Sequence, residues 1–236
     1  MTLLDERLAP ITSSIGFVRA PVDALVAAWM DWSTELGRSA QARPVEGGLE
    51  ENARLLEPLT LGAYPRRLLL RTDGNEWTAT VDCGAKGGDH ASWVGYLSQR
   101  LDVDGVVATY VSSDEGAAPP KRFGVVQLEV FGRPVKSGVL NYVRSVSVSQ
   151  ESSGRWRFEA HGETLSFEDV DSYKNRRVVD RFSPQLLEEY CAALGIRPFD
   201  KSFYAGGAVL CEQGGTAPIH ELSLEDARAQ RGYLSR

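Results

Sequence analysis

The sequence predicts an α+β fold, mainly an antiparallel sheet with helices packed on one face. Three observations lead there. Segments 142–149 and 155–161 alternate apolar and polar residues with a period of two, which gives a strand one buried and one wet face. Segments 67–71 and 76–82 flank the turn-rich TDGN, the pattern of a hairpin. Segments 21–36 and 184–194 carry apolar residues at helical spacing between recognisable start and stop signals.

Taken in order, 14–19 is compatible with a strand. Pro21 suits a first helical position, Val22, Leu25, Val26 and Trp29 share a stripe, and Gly37 can end the helix in a left-handed conformation. The stretch 38–48 (RSAQARPVEGG) reads as a linker-like loop. After the hairpin comes CGAKGGDHAS, then a helix over 92–101 with Ser92 as cap and Trp93, Leu97 and Leu101 on one face. Segments 106–111 and 123–131 read as strands, the first β-branched, the second mostly apolar. In 142–149, Val146 and Val148 oppose Ser145, Ser147 and Ser149. In 155–161, Trp156, Phe158 and Ala160 oppose Arg155, Arg157, Glu159 and His161. The pattern then predicts one helix over 168–181. A second helix over 184–194 is opened by Ser183 and Pro184, and 208–211 reads as a short strand. A last short helix is capped by Ser223 with Asp226.

The 236 residues suffice for a single domain spanning 1–236, with a candidate lobe boundary near 112–121. The longest apolar run, 24–30, has seven residues against the roughly 20 a bilayer needs, so no membrane association is expected. The start MTLLDER has neither a basic nor a greasy stretch, so no signal peptide is expected and the expected location is cytoplasmic. Net charge is −6, unevenly spread: residues 1–118 hold 10 basic and 17 acidic residues. Nucleic acid is held chiefly through Lys and Arg on phosphates, so it is not an expected partner.

No complete catalytic signature occurs. HExxH, CxxC, EF-hand and GxSxG patterns are missing, so neither a metal site nor a cofactor is expected. The loop 83–90 is the most suggestive segment. Gly84, Gly87 and Gly88 can turn backbone N–H groups toward an anion and Lys86 can add charge, although neither the P-loop nor the dinucleotide pattern is met. Cys83 with His90 and Asp89, or Asp82, contains the residue types of an activated thiol, though seven residues of separation do not establish contact. The ordinary alternatives are a flexible connector and a small buried cysteine. Glu168, Asp169 and Asp171 read as partners of a helix dipole, and Lys174, Arg176, Arg177 and Arg181 as a salt-bridged face.

Four segments, EWTATVDCG, LNYVRSVSV, GRWRFEAHGETLSFED and RFSPQLLEEYCAALGIRPFD, resemble a family of small, soluble, uncharacterised bacterial proteins over about 60–230. That family has no assigned catalytic motif, so no residue role follows from it. In type and composition the chain is also similar to the immunity proteins that neutralise bacterial toxins, which are commonly acidic, α+β and free of catalytic signatures. The acidic first half, the lack of a catalytic constellation and the sheet-plus-helix scaffold point to a protein-binding module, an immunity-type inhibitor of a toxin, with a basic protein as partner and Glu50, Glu51 and Glu57 as candidate contacts. The alternative is a small-molecule enzyme or ligand-binding protein using the loop 83–90; an assembly subunit is a third reading.

Overall fold

A nine-stranded antiparallel sheet organises the described residues in the computed structural model, which are 3–74, 76–114, 122–132, 141–204, 207–215 and 220–233. In chain order the elements are β1 (Ser14–Val18), α1 (Val22–Glu35), β2 (Ala40–Val45), α2 (Leu49–Arg54), β3 (Leu59–Leu61), β4 (Arg66–Arg71), β5 (Thr78–Asp82) and α3 (His90–Leu101). Then follow β6 (Gly105–Val111), β7 (Val125–Phe131), β8 (Tyr142–Gln150), β9 (Trp156–Gly162), α4 (Pro184–Ala193), β10 (Ala208–Gln213), β11 (His220–Leu222) and α5 (Leu224–Gln230). The large sheet runs β2-β10-β4-β5-β1-β6-β7-β8-β9, and β3 pairs with β11 apart from it. Hairpins build the half from β6 to β9, whereas β10 returns from far along the chain to lie between β2 and β4. Residues from both ends of the chain therefore share one sheet. Of the candidate boundary at 112–121, residues 115–121 lie outside the described residues.

The helices occupy both faces of this sheet, which corrects the expectation of one. Alternation along the strands separates two cores. Phe17, Leu68, Leu70, Val106, Leu128, Val146 and Leu210 join α2, α4 and α5 on one face through Ala53, Leu187, Tyr190 and Ala227. Leu69, Val107, Val209 and Cys211 join α1 and α3 on the other through Leu25, Trp29, Trp93, Val94 and Leu97. The physical reason lies in strands such as Leu68-Leu69-Leu70 and Val106-Val107-Ala108, which are apolar without interruption and must be covered twice. The serine-bearing strand β8 is one-sided, as its alternation implies: Val146 and Val148 are fully buried.

Three further expectations change. The stretch 38–48 contains the edge strand β2, which tolerates Pro44 because an edge needs fewer ladder bonds. The helix α3 begins two residues before Ser92; its cap is Asp89, whose carboxylate accepts the Ser92 N–H at 3.2 Å. No helix spans 168–181. That stretch holds two single turns, Ser172–Lys174 and Val178–Asp180, with extended backbone at Asn175 and Arg177. Its side chains compete with helical hydrogen bonding. Asp169 accepts from the Asp171 and Ser172 N–H groups, and Glu168 turns inward to a bidentate pair with Arg144, 2.6 and 2.8 Å. Tyr173 donates to the same carboxylate at 2.7 Å and lies 3.2 Å from the Tyr190 hydroxyl, so this segment is anchored to β8 and α4 by a buried polar network. The helices over 184–194 and after Ser223 start as expected, with Ser183 and Ser223 accepting from Leu186 and Asp226 N–H groups. No helix among the described residues is long and apolar enough to cross a membrane.

Candidate functional site

Strand register builds the centre of the candidate site. Arg67 on β4 stands opposite Asp82 at the end of β5, and their side chains form an ion pair of 2.9 Å that is almost entirely buried. The other guanidinium nitrogen bonds Thr80 Oγ1 and His90 Nδ1, each at 3.2 Å. The guanidinium plane also lies 4.6 Å over the Trp93 ring. Burying such a charge requires this degree of partnering. Burial acts to raise the Asp82 carboxyl, but the neighbouring His90, then Arg67 and two backbone donors, together outweigh it and hold the group below its ordinary range.

Those donors come from the glycine loop. Gly84 N–H donates to Asp82 Oδ1 at 2.9 Å and Asp89 N–H to Oδ2 at 3.4 Å. A β-carbon on Gly88 (φ +76°) would overlap the Asp82 carboxylate, and one on Gly84 would overlap the Gly88 backbone. The loop thus wraps a carboxylate of its own chain. Gly87 N–H closes a turn onto Gly84 O, and Lys86 is exposed at the tip.

His90 opens α3 with its ring fully buried. Burial drives its pKa down to about 4, so the imidazole is neutral at pH 7. Arg67 can only donate, which makes Nδ1 the acceptor and assigns the proton to Nε2. That buried Nε2–H has no partner among the described residues.

Cys83 and His90 are not brought together. Successive residues of a strand face opposite ways, so Asp82 turns toward α3 while Cys83 enters the core on the other face. The thiol meets Thr60 Oγ1 at 3.2 Å and the Arg66 N–H at 3.4 Å, and burial pushes its pKa up. Glu50, Glu51 and Glu57 cluster about α2, each with an internal partner. Glu50 pairs with Arg7 at 3.2 Å, Glu51 accepts the Gly48 N–H at 3.0 Å, and Glu57 accepts the Leu224 N–H at 3.2 Å. A basic partner would have to displace these contacts.

Two clefts flank the Arg67–Asp82–His90 centre and share Asp89. The first, about 220 Å³, is lined by Lys86, Asp89, His90, Ser14, Thr109, Glu129 and Arg231. Glu129 accepts the Tyr142 hydroxyl at 3.1 Å, and burial raises its carboxyl above the ordinary range. The second, about 310 Å³, lies on the other side against α1 and β10. Arg67 and Glu129 carry no signal in the sequence, because each looks like an ordinary polar position of a strand. Only the register reveals that Arg67 faces Asp82 and that Glu129 shares a row with Val107 and Gly16. No protein-family model matches the chain, and the comparisons with curated proteins and with solved structures gave no match.

Proposed function

We propose that the protein binds an amino-acid-sized zwitterion in the first cleft, beside the glycine loop. The observation that carries this reading is the His90 Nε2–H. It is a buried donor, fixed in its tautomer by Arg67 and left unpartnered, on a residue that lines the cleft. A donor so placed is satisfied by a ligand oxygen. The remaining lining matches a molecule with both charges. Lys86 and Arg231 have no carboxylate partner among the described residues and suit a carboxylate, while Glu129 and Asp89 suit an ammonium or hydroxyl group. The volume of about 220 Å³ admits a ligand of that size.

Calorimetric titration with L-serine, with lactate and ethanolamine as single-charge controls, tests the reading. Saturable binding of L-serine is expected, weakened about tenfold by Glu129→Gln or Lys86→Ala. In nitrogen-15 spectra the His90 Nε2–H signal should move on saturation. Absence of saturable binding, or an unmoved His90 signal in the complex, overturns the proposal.

A further inference from the structure

The second cleft has a different chemistry and has Asp89 in common with the zwitterion site. Its walls are aromatic: Trp29 and Trp32 from α1, Trp93 from α3, and Tyr64 from the turn before β4. Trp32 is held in place by stacking on Tyr96, ring centres 4.2 Å apart. One face of Trp93 is covered by Arg67, whose charge Asp82 already balances. Trp93 is nine-tenths buried, yet its indole N–H has no partner among the described residues. Arg38, exposed, also lines the cleft, and among the described residues its guanidinium has no carboxylate partner, bonding the Gln213 amide oxygen at 3.4 Å. Asp89, an acid of the lining, has one oxygen engaged in capping α3.

We propose that this cleft is a binding site for a planar aromatic carboxylate that carries a hydrogen-bond acceptor in its ring. The ring lies among the tryptophans, whose flat faces favour an aromatic over an aliphatic guest. The ring acceptor takes the Trp93 N–H, which has no partner among the described residues. The carboxylate meets Arg38, whose planar fork matches it in a bidentate fashion. A volume of about 310 Å³ fits one or two fused rings.

Three isosteric probes separate these contributions by calorimetry: quinoline-2-carboxylate, 2-naphthoate without the ring nitrogen, and quinoline-2-methanol without the charge. Quinoline-2-carboxylate should bind tightest, at least about tenfold tighter than the alcohol. Arg38→Gln should abolish that preference and leave the alcohol's affinity unchanged, and Tyr64→Ala should weaken all three. Lys86→Ala, which alters only the first cleft, should change none, so this site and the zwitterion site stand or fall separately. Equal affinities for the three probes, no saturation by any, or an acid preference that survives Arg38→Gln would overturn the proposal.

Discussion

His90 is the residue on which the chemistry of the site and the stability of the fold meet. Its folded pKa of about 4 lies below the ordinary 6.5 because the ring is buried. Between those values the unfolded chain takes up a proton that the folded chain does not, so stability falls as pH falls from 6.5 toward 4. Asp82, held below its ordinary 3.8, adds a further loss at lower pH, whereas Glu129, raised by burial, acts in the opposite direction. The His90 contribution is isolated by comparison with His90→Gln. Wild type should lose up to about 1.4 kcal/mol per pH unit more than the variant across that window, measured by urea unfolding. Parallel pH profiles would show that the imidazole is not buried neutral. The ion pair beside it gives a second expectation. Asp82→Asn leaves Arg67 buried without its counter-charge and should destabilise the fold by about 3–5 kcal/mol. A loss under about 1 kcal/mol, the scale of an exposed pair, would contradict the enclosed geometry.

The loop between β5 and α3 is the element that makes the centre possible, and its glycines are not interchangeable. Gly87 and Gly88 both have positive φ, at +102° and +76°, so alanine strains either. A methyl group at Gly87 enters open space, while one at Gly88 strikes the Asp82 carboxylate. Gly88→Ala is therefore expected to cost about 1–3 kcal/mol more than Gly87→Ala in denaturant unfolding, the overpacking increment. Equal losses would mean that the loop does not close on Asp82. Elements of this kind were legible in the sequence where their determinants are local. The helices starting at Pro184 and Leu224 announce themselves through Ser183 and Ser223, and the β4–β5 and β8–β9 hairpins through their turns. Elements defined by distant partners were not legible. The strand β2 exists because β10, some 170 residues later, pairs with it, and Glu168 leaves the helical pattern because Arg144 on β8 receives it. The site divides in the same way. The glycine loop stood out by composition, but its function as a wrapper for Asp82 depends on the register with Arg67. The separation of Cys83 from His90 depends on alternation at one strand end.

At the scale of the molecule, the sheet is a wall shared by two cores. Strands β1, β4, β6 and β10 contribute alternate residues to both, as Leu68 and Leu70 do on one side and Leu69 on the other. Neither core can lose its strands without uncovering the opposite one, so the two should melt together. The clefts lie where this double coverage gives way. On the α3 side the row that runs from Leu69 through Thr80 and Gly16 to Val107 continues through Glu129 to Ser145 on β8, and the first cleft sits at the step from Val107 to Glu129. Truncating one side chain in each core tests the coupling. Leu25 on α1 and Leu187 on α4 are both fully buried, in opposite cores. Leu25→Ala and Leu187→Ala should each lower stability by about 2–5 kcal/mol. Each variant should keep a single transition whose midpoint is the same by far-ultraviolet circular dichroism and by tryptophan fluorescence. Trp29 and Trp93 lie in the core on the α1 and α3 side and Trp77 in the opposite one, so a fluorescence transition that splits in two, or a midpoint that departs from that of circular dichroism in either variant, would show that the two faces unfold independently. In that event the sheet would not couple its cores, and the clefts on the α3 side would open without loss of the opposite face.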